Sequence, residues 1–422
     1  MRRYPDGMQR LTLLAASVAA LAVLGLPAAA NAPSTWTAGR GVEGSFTVLA
    51  TADGIGWAGG FAGALARTTD GGRTWATATP PSSAGIRDIA TDDGQTIFAL
   101  DARGSVFRST DAGTTWTTLA PTGGMHPIAL SAFGGDRLLL VGRRSLLYSG
   151  DAGNTFKAVT PKLAKADLFT AADEAGGSPV VSGPHSLLIS NDLGLHWQHM
   201  RLPPLARGDA LLDADFVVQR GGFVLTAFRQ VFRTGDAGHH WTELLGTGGA
   251  GADIAFSDPQ HGYLAAPGFA NRFDGFVLYT NDAGASWRPQ PVASRFLSKV
   301  AAQPRGPAYA IANEGTALFA TRIGSETGKP ITVGFRPAPR APLRGGTVAI
   351  RGRVAPAVKN AGVAVSMRSA GRWIARYVRT DANGVFTTNF VVQRTAAFVV
   401  QVPAGGGHGS AASKPVIVEV HG

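Results

Sequence analysis

The sequence predicts an all-β chain, a seven-bladed β-propeller followed by a small β-sandwich. Three observations predict it. A nine-residue phrase centred on Asp-x-Gly recurs six times between residues 67 and 287. Each interval of about 40 residues reads as four short strands separated by Gly, Asp or Pro. After residue 330 the phrase vanishes, Pro and Arg rise, and a second set of alternating runs begins.

At the N-terminus, Arg2, Arg3 and Arg10 precede an apolar run from Leu11 to Leu26, ended by Pro27. Ala30-Asn31-Ala32 then supplies small residues at the positions a signal peptidase requires. This pattern predicts a secretory signal over residues 1–32, cut after Ala32. An uncleaved anchor is the alternative, for which the run is a little short and rich in Ala. Nothing later resembles a membrane span, so the expected mature chain is soluble and secreted, periplasmic or associated with the cell envelope. The sequence has no Cys, which excludes disulfide frameworks, thiolate zinc sites and cysteine nucleophiles.

The propeller is expected over residues 33–329. Its phrases are RTTDGGRTW (67–75), RSTDAGTTW (108–116), YSGDAGNTF (148–156), ISNDLGLHW (189–197), RTGDAGHHW (233–241) and YTNDAGASW (279–287). Their aspartates, Asp70, Asp111, Asp151, Asp192, Asp236 and Asp282, are separated by 41, 40, 41, 44 and 46 residues. Between them the runs are short, β-branched or aromatic, as in TIFALDAR and SVFRSTDAG, which fits four antiparallel strands per unit. A single such unit leaves both faces uncovered, so the units must pack side by side. Residues 44–80 form the first and 295–323 a seventh without the aspartate turn. The segment before residue 44 is placed to pair with that last unit and close the ring. A six-bladed ring with an edge extension is the alternative.

In each phrase the Asp carboxylate can accept backbone N–H bonds from its own turn, and Gly takes a conformation other residues avoid. The aromatic residue that ends it, Trp75, Trp116, Phe156, Trp197, Trp241 or Trp287, can pack between units. The phrase resembles the Asp-box of the sialidase-like repeat superfamily, and a residue needed in every repeat serves the repeat. The competing function is a sialidase-like glycoside hydrolase. Sialidases of that superfamily carry an Arg-Ile-Pro segment, three clamping arginines, an acidic acid/base and a Tyr–Glu pair. This sequence has no Arg-Ile-Pro, and only Tyr309 with Glu314 is placed at all suitably for the pair. No catalytic residue and no cofactor is assigned. His196 and His199 flank Trp197, and His239 and His240 precede Trp241, but no third ligand stands at metal-binding spacing, so no metal is assigned.

Strand order puts the aspartate turns on one face, with the second-to-third turns and the blade-to-blade links on the other. The free face should carry Arg87, His126, Lys162, Lys165, Arg207, Arg295 and, slightly inside, Lys299, interleaved with Asp88, Asp167, Asp213 and Asp253. Arg87, Lys165, Arg207, Arg295 and Lys299 are candidate partner-binding residues, able to focus anionic or polar ligands. The repeats, with the inner strands Asp88-Ile89-Ala90 and Asp253-Ile254-Ala255, resemble the photosystem II assembly factor family of lumenal propellers. That resemblance implies a non-enzymatic scaffold holding a polypeptide, partly through an arginine-rich patch that it does not assign to particular residues here.

Residues 330–422 are expected to form the second domain. A Pro-rich lead-in is followed by TVAIRGRV, GVAVSMRS, RWIARYVRT, GVFTTNFVV, AAFVVQV and PVIVEV, with Asp381-Ala382-Asn383-Gly384 as a turn. The pattern argues a β-sandwich and resembles the immunoglobulin-like modules of exported bacterial proteins. Residues 331–422 hold 12 Lys/Arg against 2 Asp/Glu, whereas 33–330 hold 24 against 25. Nearly all of the net charge of +11 therefore sits in this module. With Val348, Ile350 and Val354 facing a core, Arg351 and Arg353 face outward and become further candidate binding residues. Arg368, Arg372, Arg376 and Arg379 add to the basic surface. The expected function is a binding or scaffolding protein for a protein partner or an anionic cell-envelope polymer. No nucleic acid is expected, because aromatic and basic residues do not interleave in a stripe.

Overall fold

Four-stranded antiparallel sheets account for most of the chain. The computed structural model describes residues 36–120, 124–165, 167–266, 275–292, 294, 296–303, 306–312, 315–322 and 328–422. The expected signal over 1–32 and its cleavage after Ala32 lie outside these residues, as do Arg295 and Glu314. Among the described residues no helix is long and apolar enough to cross a membrane.

Among the described residues, seven four-stranded sheets follow one another in sequence. Their innermost strands are Phe46–Ala52, Ile86–Thr91, Ala129–Phe133, Ala171–Ala175, Leu211–Val218, Asp253–Phe256 and Lys299–Ala301. Each lies against the next, and the seventh returns to lie against the first, so the ring is closed. Closure uses the N-terminal segment as expected: Thr37–Ala38 is the outer strand of the seventh sheet, with Thr37 opposite Ala320 and Ala38 opposite Phe319. Trp36 strengthens the join by donating its indole N–H to Gln290 Oε1 at 3.0 Å.

Packing between sheets explains the sequence pattern. A middle strand is covered on both faces, so Arg137–Gly142 reads as a continuous run, and Leu138 to Val141 are fully buried. The apolar clusters accordingly span neighbouring sheets: Phe98, Leu100 and Val106 of the second pack with Leu130, Leu138 and Leu140 of the third. At the ring junction Trp75 meets Tyr309 edge-on at 5.6 Å, within a cluster that includes Phe46, Ile311 and Leu318.

The C-terminal part forms two further sheets. One holds Thr332–Ala338, Thr347–Ala355 and Val385–Val391. The other runs from Arg372–Arg379 through Gly362–Ser369 and Ala396–Val402 to Ala411–Ala412, with Val416–Val418 also paired to Ala396–Val402. Here the strands alternate, because each sheet has one covered face: Val348, Ile350 and Val354 point inward against Val365, Met367, Phe398 and Val400. The outer face of the larger sheet lies against the ring. Ala364 and Tyr377 join the cluster formed by the fifth and sixth ring sheets. Gln401 donates its amide to the carbonyls of Gly246 at 3.2 Å and Trp287 at 2.9 Å, and Arg368 pairs with Glu243 at 2.8 Å. Gly249, at φ +82°, lies so close under Trp373 that a Cβ there would collide with the indole.

Candidate functional site

The six aspartate turns share one hydrogen-bond plan. In the second, Ser109 Oγ donates to Asp111 Oδ1 at 2.7 Å and accepts the N–H of Gly113 at 2.8 Å. Thr115 donates both its N–H (2.8 Å) and its hydroxyl (2.6 Å) to the Asp111 carboxylate. Asp70, Asp151 and Asp282 repeat this with Thr74, Thr155 and Ser286. In the fourth and fifth copies His196 and His240 take the hydroxyl's place, so their imidazole Nδ1 atoms face Asp192 and Asp236. The Thr hydroxyl first, and the Thr amide next, hold the carboxyls of Asp70, Asp111 and Asp151 down at about 2. These carboxylates are spent on their own turns and spread around the ring rather than gathered at a cleft. The aromatic residues lie at the seams between sheets: Trp75 and Trp287 are buried, Trp197 is nearly so, and Trp116 and Trp241 donate their indole N–H to Thr79 O and Arg201 O.

A second set of aspartates, on the innermost strands, ties the second, fourth, fifth and sixth sheets to the ones that follow them. Asp88 accepts the N–H of Leu130 at 2.8 Å, Asp173 that of Phe216 at 2.9 Å, and Asp253 that of Val300 at 2.8 Å. Asp213 and Asp215 do the same for Ile254 and Phe256. The expectation that Asp88, Asp213 and Asp253 form a charged rim is corrected by this arrangement, because all three are buried and bonded. Lys299 is corrected likewise. It is 1% exposed, with its ammonium 2.9 Å from Asp253 Oδ1, so it belongs to the interior and not to a binding surface. Arg87 is half-buried and donates Nε–H to Ile128 O at 3.1 Å, which ties the second sheet to the third.

The face opposite the aspartate turns differs in charge. Its acids Asp101, Asp167 and Asp209 are buried within their own loops, where they accept N–H bonds from Ser105, Ala164 and Phe228. Its cations Arg103, Arg143, Arg144, Lys162, Lys165 and Arg207 are exposed, alongside the single exposed acid Glu43 in the described loops. Arg144 also clamps the neighbouring link, donating to the carbonyls of Ala164, Lys165 and Asp167. Phe61, Phe228 and Phe296 stand 64%, 44% and 42% exposed on loops of the same face. A cavity of about 640 Å³ opens there, lined by Met125, His126, Ile128, Arg143, Arg144 and Thr160 among others. Of the expected partner-binding residues, Lys165 and Arg207 are thus on the open face, and Arg351 and Arg353 are exposed on the C-terminal module. Sequence reasoning missed the phenylalanines and the Arg143-Arg144 pair, although two adjacent arginines in a turn between apolar strands were a readable signal.

Tyr309 is buried, its hydroxyl donating to Gly54 O at 3.3 Å, and burial pushes the phenol well above its ordinary range. Among the described residues no three His, Asp or Glu side chains cluster as metal ligands.

No known protein family matches this sequence, and no curated protein matches it. Solved structures do match. YCF48 from Cyanidioschyzon merolae superposes with a TM-score of 0.55 at 16% identity, covering 69% of this chain and 99% of that one. A structure of YCF48 bound to D1 peptide gives a TM-score of 0.55 at 17% identity, again over 69% and 99% of the two chains. At such identities the likeness is one of fold, and the fold is a β-propeller.

Proposed function

We propose that this chain is an exported, non-enzymatic scaffold whose propeller holds a polypeptide partner on the face opposite the aspartate turns. The charge sorting on that face carries the reading. Glu43 apart, its described acids are consumed inside their own loops and its cations project, so a partner meets mainly positive charge interrupted by exposed phenylalanines. Such a surface suits an acidic polypeptide with apolar anchors: the charge steers approach and the rings supply buried area. That YCF48, of the same fold, has been captured with a D1 peptide supports a peptide-holding role for a propeller of this kind. The aspartate turns belong in this reading to Asp-box repeats, residues 1–32 to an export signal, and residues 330–422 to an immunoglobulin-like module attaching the chain to anionic material of the envelope. Catalysis has no place in it, since the one tyrosine suited to a nucleophile pair is packed beneath Trp75.

Crosslinking in the envelope fraction tests the proposal. A polypeptide crosslinked by the unaltered chain should be lost from the R143E/R207E double variant and kept by R73E/R220E, which alters the opposite face. Equal loss or equal retention would overturn it, as would turnover of a fluorogenic sialoside by the purified chain.

A further inference from the structure

Among the described residues, nothing covers one sheet face of the C-terminal module. The larger sheet is sandwiched between the ring and the smaller sheet, because its outer face carries Ala364, Arg368, Trp373, Tyr377 and Gln401 against the propeller. The outward positions of the smaller sheet therefore form the pole of the molecule farthest from the ring. Arg336, Arg351 and Arg353 stand there, all exposed. Arg336 is directly opposite Arg351 across the strand pair, and Arg353 lies two residues further along, about 7 Å away.

Two like charges directly opposite one another destabilise a sheet, so their placement asks for a compensating partner. Among the described residues, no ion pair joins Arg336, Arg351 or Arg353 to a carboxylate, Glu419 included. The module's only acids are Asp381 and Glu419, and Asp381 is occupied by the N–H groups of Asn383 and Val385 in its own turn. Arg353 directs Nε–H to Asn383 O at 3.1 Å while the side chain stays exposed. The neighbouring outward residues, Gly334, Ala349 and Thr387, are small. No aromatic ring stands among the outward positions to stack a base or a sugar. Such a face reads charge and spacing only, and the guanidinium fork matches phosphate oxygens two at a time.

We infer that the outer face of the smaller sheet binds a linear phosphate-bearing polymer, with Arg336, Arg351 and Arg353 each engaging a phosphate. The inference rests on the reading of this module as an attachment domain and names the surface and chemistry through which it attaches.

The test is fluorescence anisotropy of end-labelled long-chain inorganic polyphosphate with the full chain at increasing salt. The unaltered protein should bind, with affinity falling as salt rises. R336Q/R351Q/R353Q should weaken binding about tenfold or more and flatten the salt slope by about two to three. K359Q/R372Q/K414Q, which removes the same charge elsewhere in the module, should bind nearly as the unaltered chain does. Melting curves of both triple variants establish that they fold. If the two variants lose affinity equally, the module still attaches through charge but this face is not the site, and the inference falls alone. If the unaltered chain ignores polyphosphate yet binds phosphatidylglycerol vesicles, the ligand class is wrong. Binding to neither would overturn the inference and the attachment role together.

Discussion

Asp111 is tied only to residues within four positions of itself, and that locality sets what a substitution there costs. Asp111→Ala strips the acceptor from the Thr115 N–H and hydroxyl and from the Ser109 hydroxyl. Because the turn is exposed, water replaces part of what is lost, and the expected outcome is a small fall in the urea unfolding midpoint with an unchanged slope. The same turns make the fold acid-sensitive. A carboxyl held at about 2 when folded, against an ordinary 3.8, stabilises the fold fully above pH 4. That contribution disappears as pH falls from about 4 to about 2, so the melting temperature should drop through this window, and less steeply in D70N/D111N/D151N. A flat profile between pH 4 and 2 would show that the turns contribute nothing to stability. Lys299 behaves differently because water cannot replace its partner. Lys299→Met leaves Asp253 buried without its cation, an expected loss of about 3–5 kcal/mol, which additional Asp253→Asn should partly restore.

Among the elements, the two-residue strand Thr37–Ala38 has an influence beyond its length. It supplies the seventh sheet's outer strand from the opposite end of the ring, so separation of the first and seventh sheets requires its release. A chain shortened to begin at Gly39 loses this pairing and the Trp36–Gln290 bond, and exposes the edge of Ala317–Arg322. Hydrogen exchange in Ala317–Arg322 and in the first sheet should speed up well before that of the third and fourth sheets. Uniform exchange would mean that the strand does not hold the ring shut. The outer strands elsewhere are two to four residues long, which limits edge-to-edge pairing between molecules.

At the scale of the whole molecule, the seam between ring and sandwich determines whether the two behave as one body. Gln401 satisfies two buried carbonyls across it, and Arg368–Glu243 adds an ion pair that is mostly shielded from solvent. Burial pushes the Glu243 carboxyl up, opposed by the Arg368 guanidinium, which is how a pair at a closed interface behaves. The intact chain should therefore melt in one transition. In Q401A/R368E the Gly246 and Trp287 carbonyls lose their donor, each costing about 1–3 kcal/mol, and a second calorimetric transition should separate from the first. A single unshifted transition in the variant would show that the seam carries no coupling. A rigid seam also holds the Arg336, Arg351 and Arg353 face at a fixed pole relative to the propeller's open face.

By itself the sequence determined the repeat, because its phrase recurs, and the strands and the chemistry of the aspartate turns, because those rest on residues close together in the chain. Asp70 to Thr74 is a complete unit, legible wherever the phrase occurs. Only the tertiary structure decided the fate of Asp88, Asp253 and Lys299. Their partners Leu130 and Val300 are 42 and 47 residues away, one repeat further on, and Asp253 is likewise 46 from Lys299. In a list of residues a charged side chain on an inner strand looks the same whether it lines a channel or binds its neighbour. The same holds for the open face. Its loops carry both signs of charge, and only folding buries Asp101, Asp167 and Asp209 while leaving Arg143, Lys165 and Arg207 in water. Composition counts charges, whereas desolvation selects which of them a partner can meet.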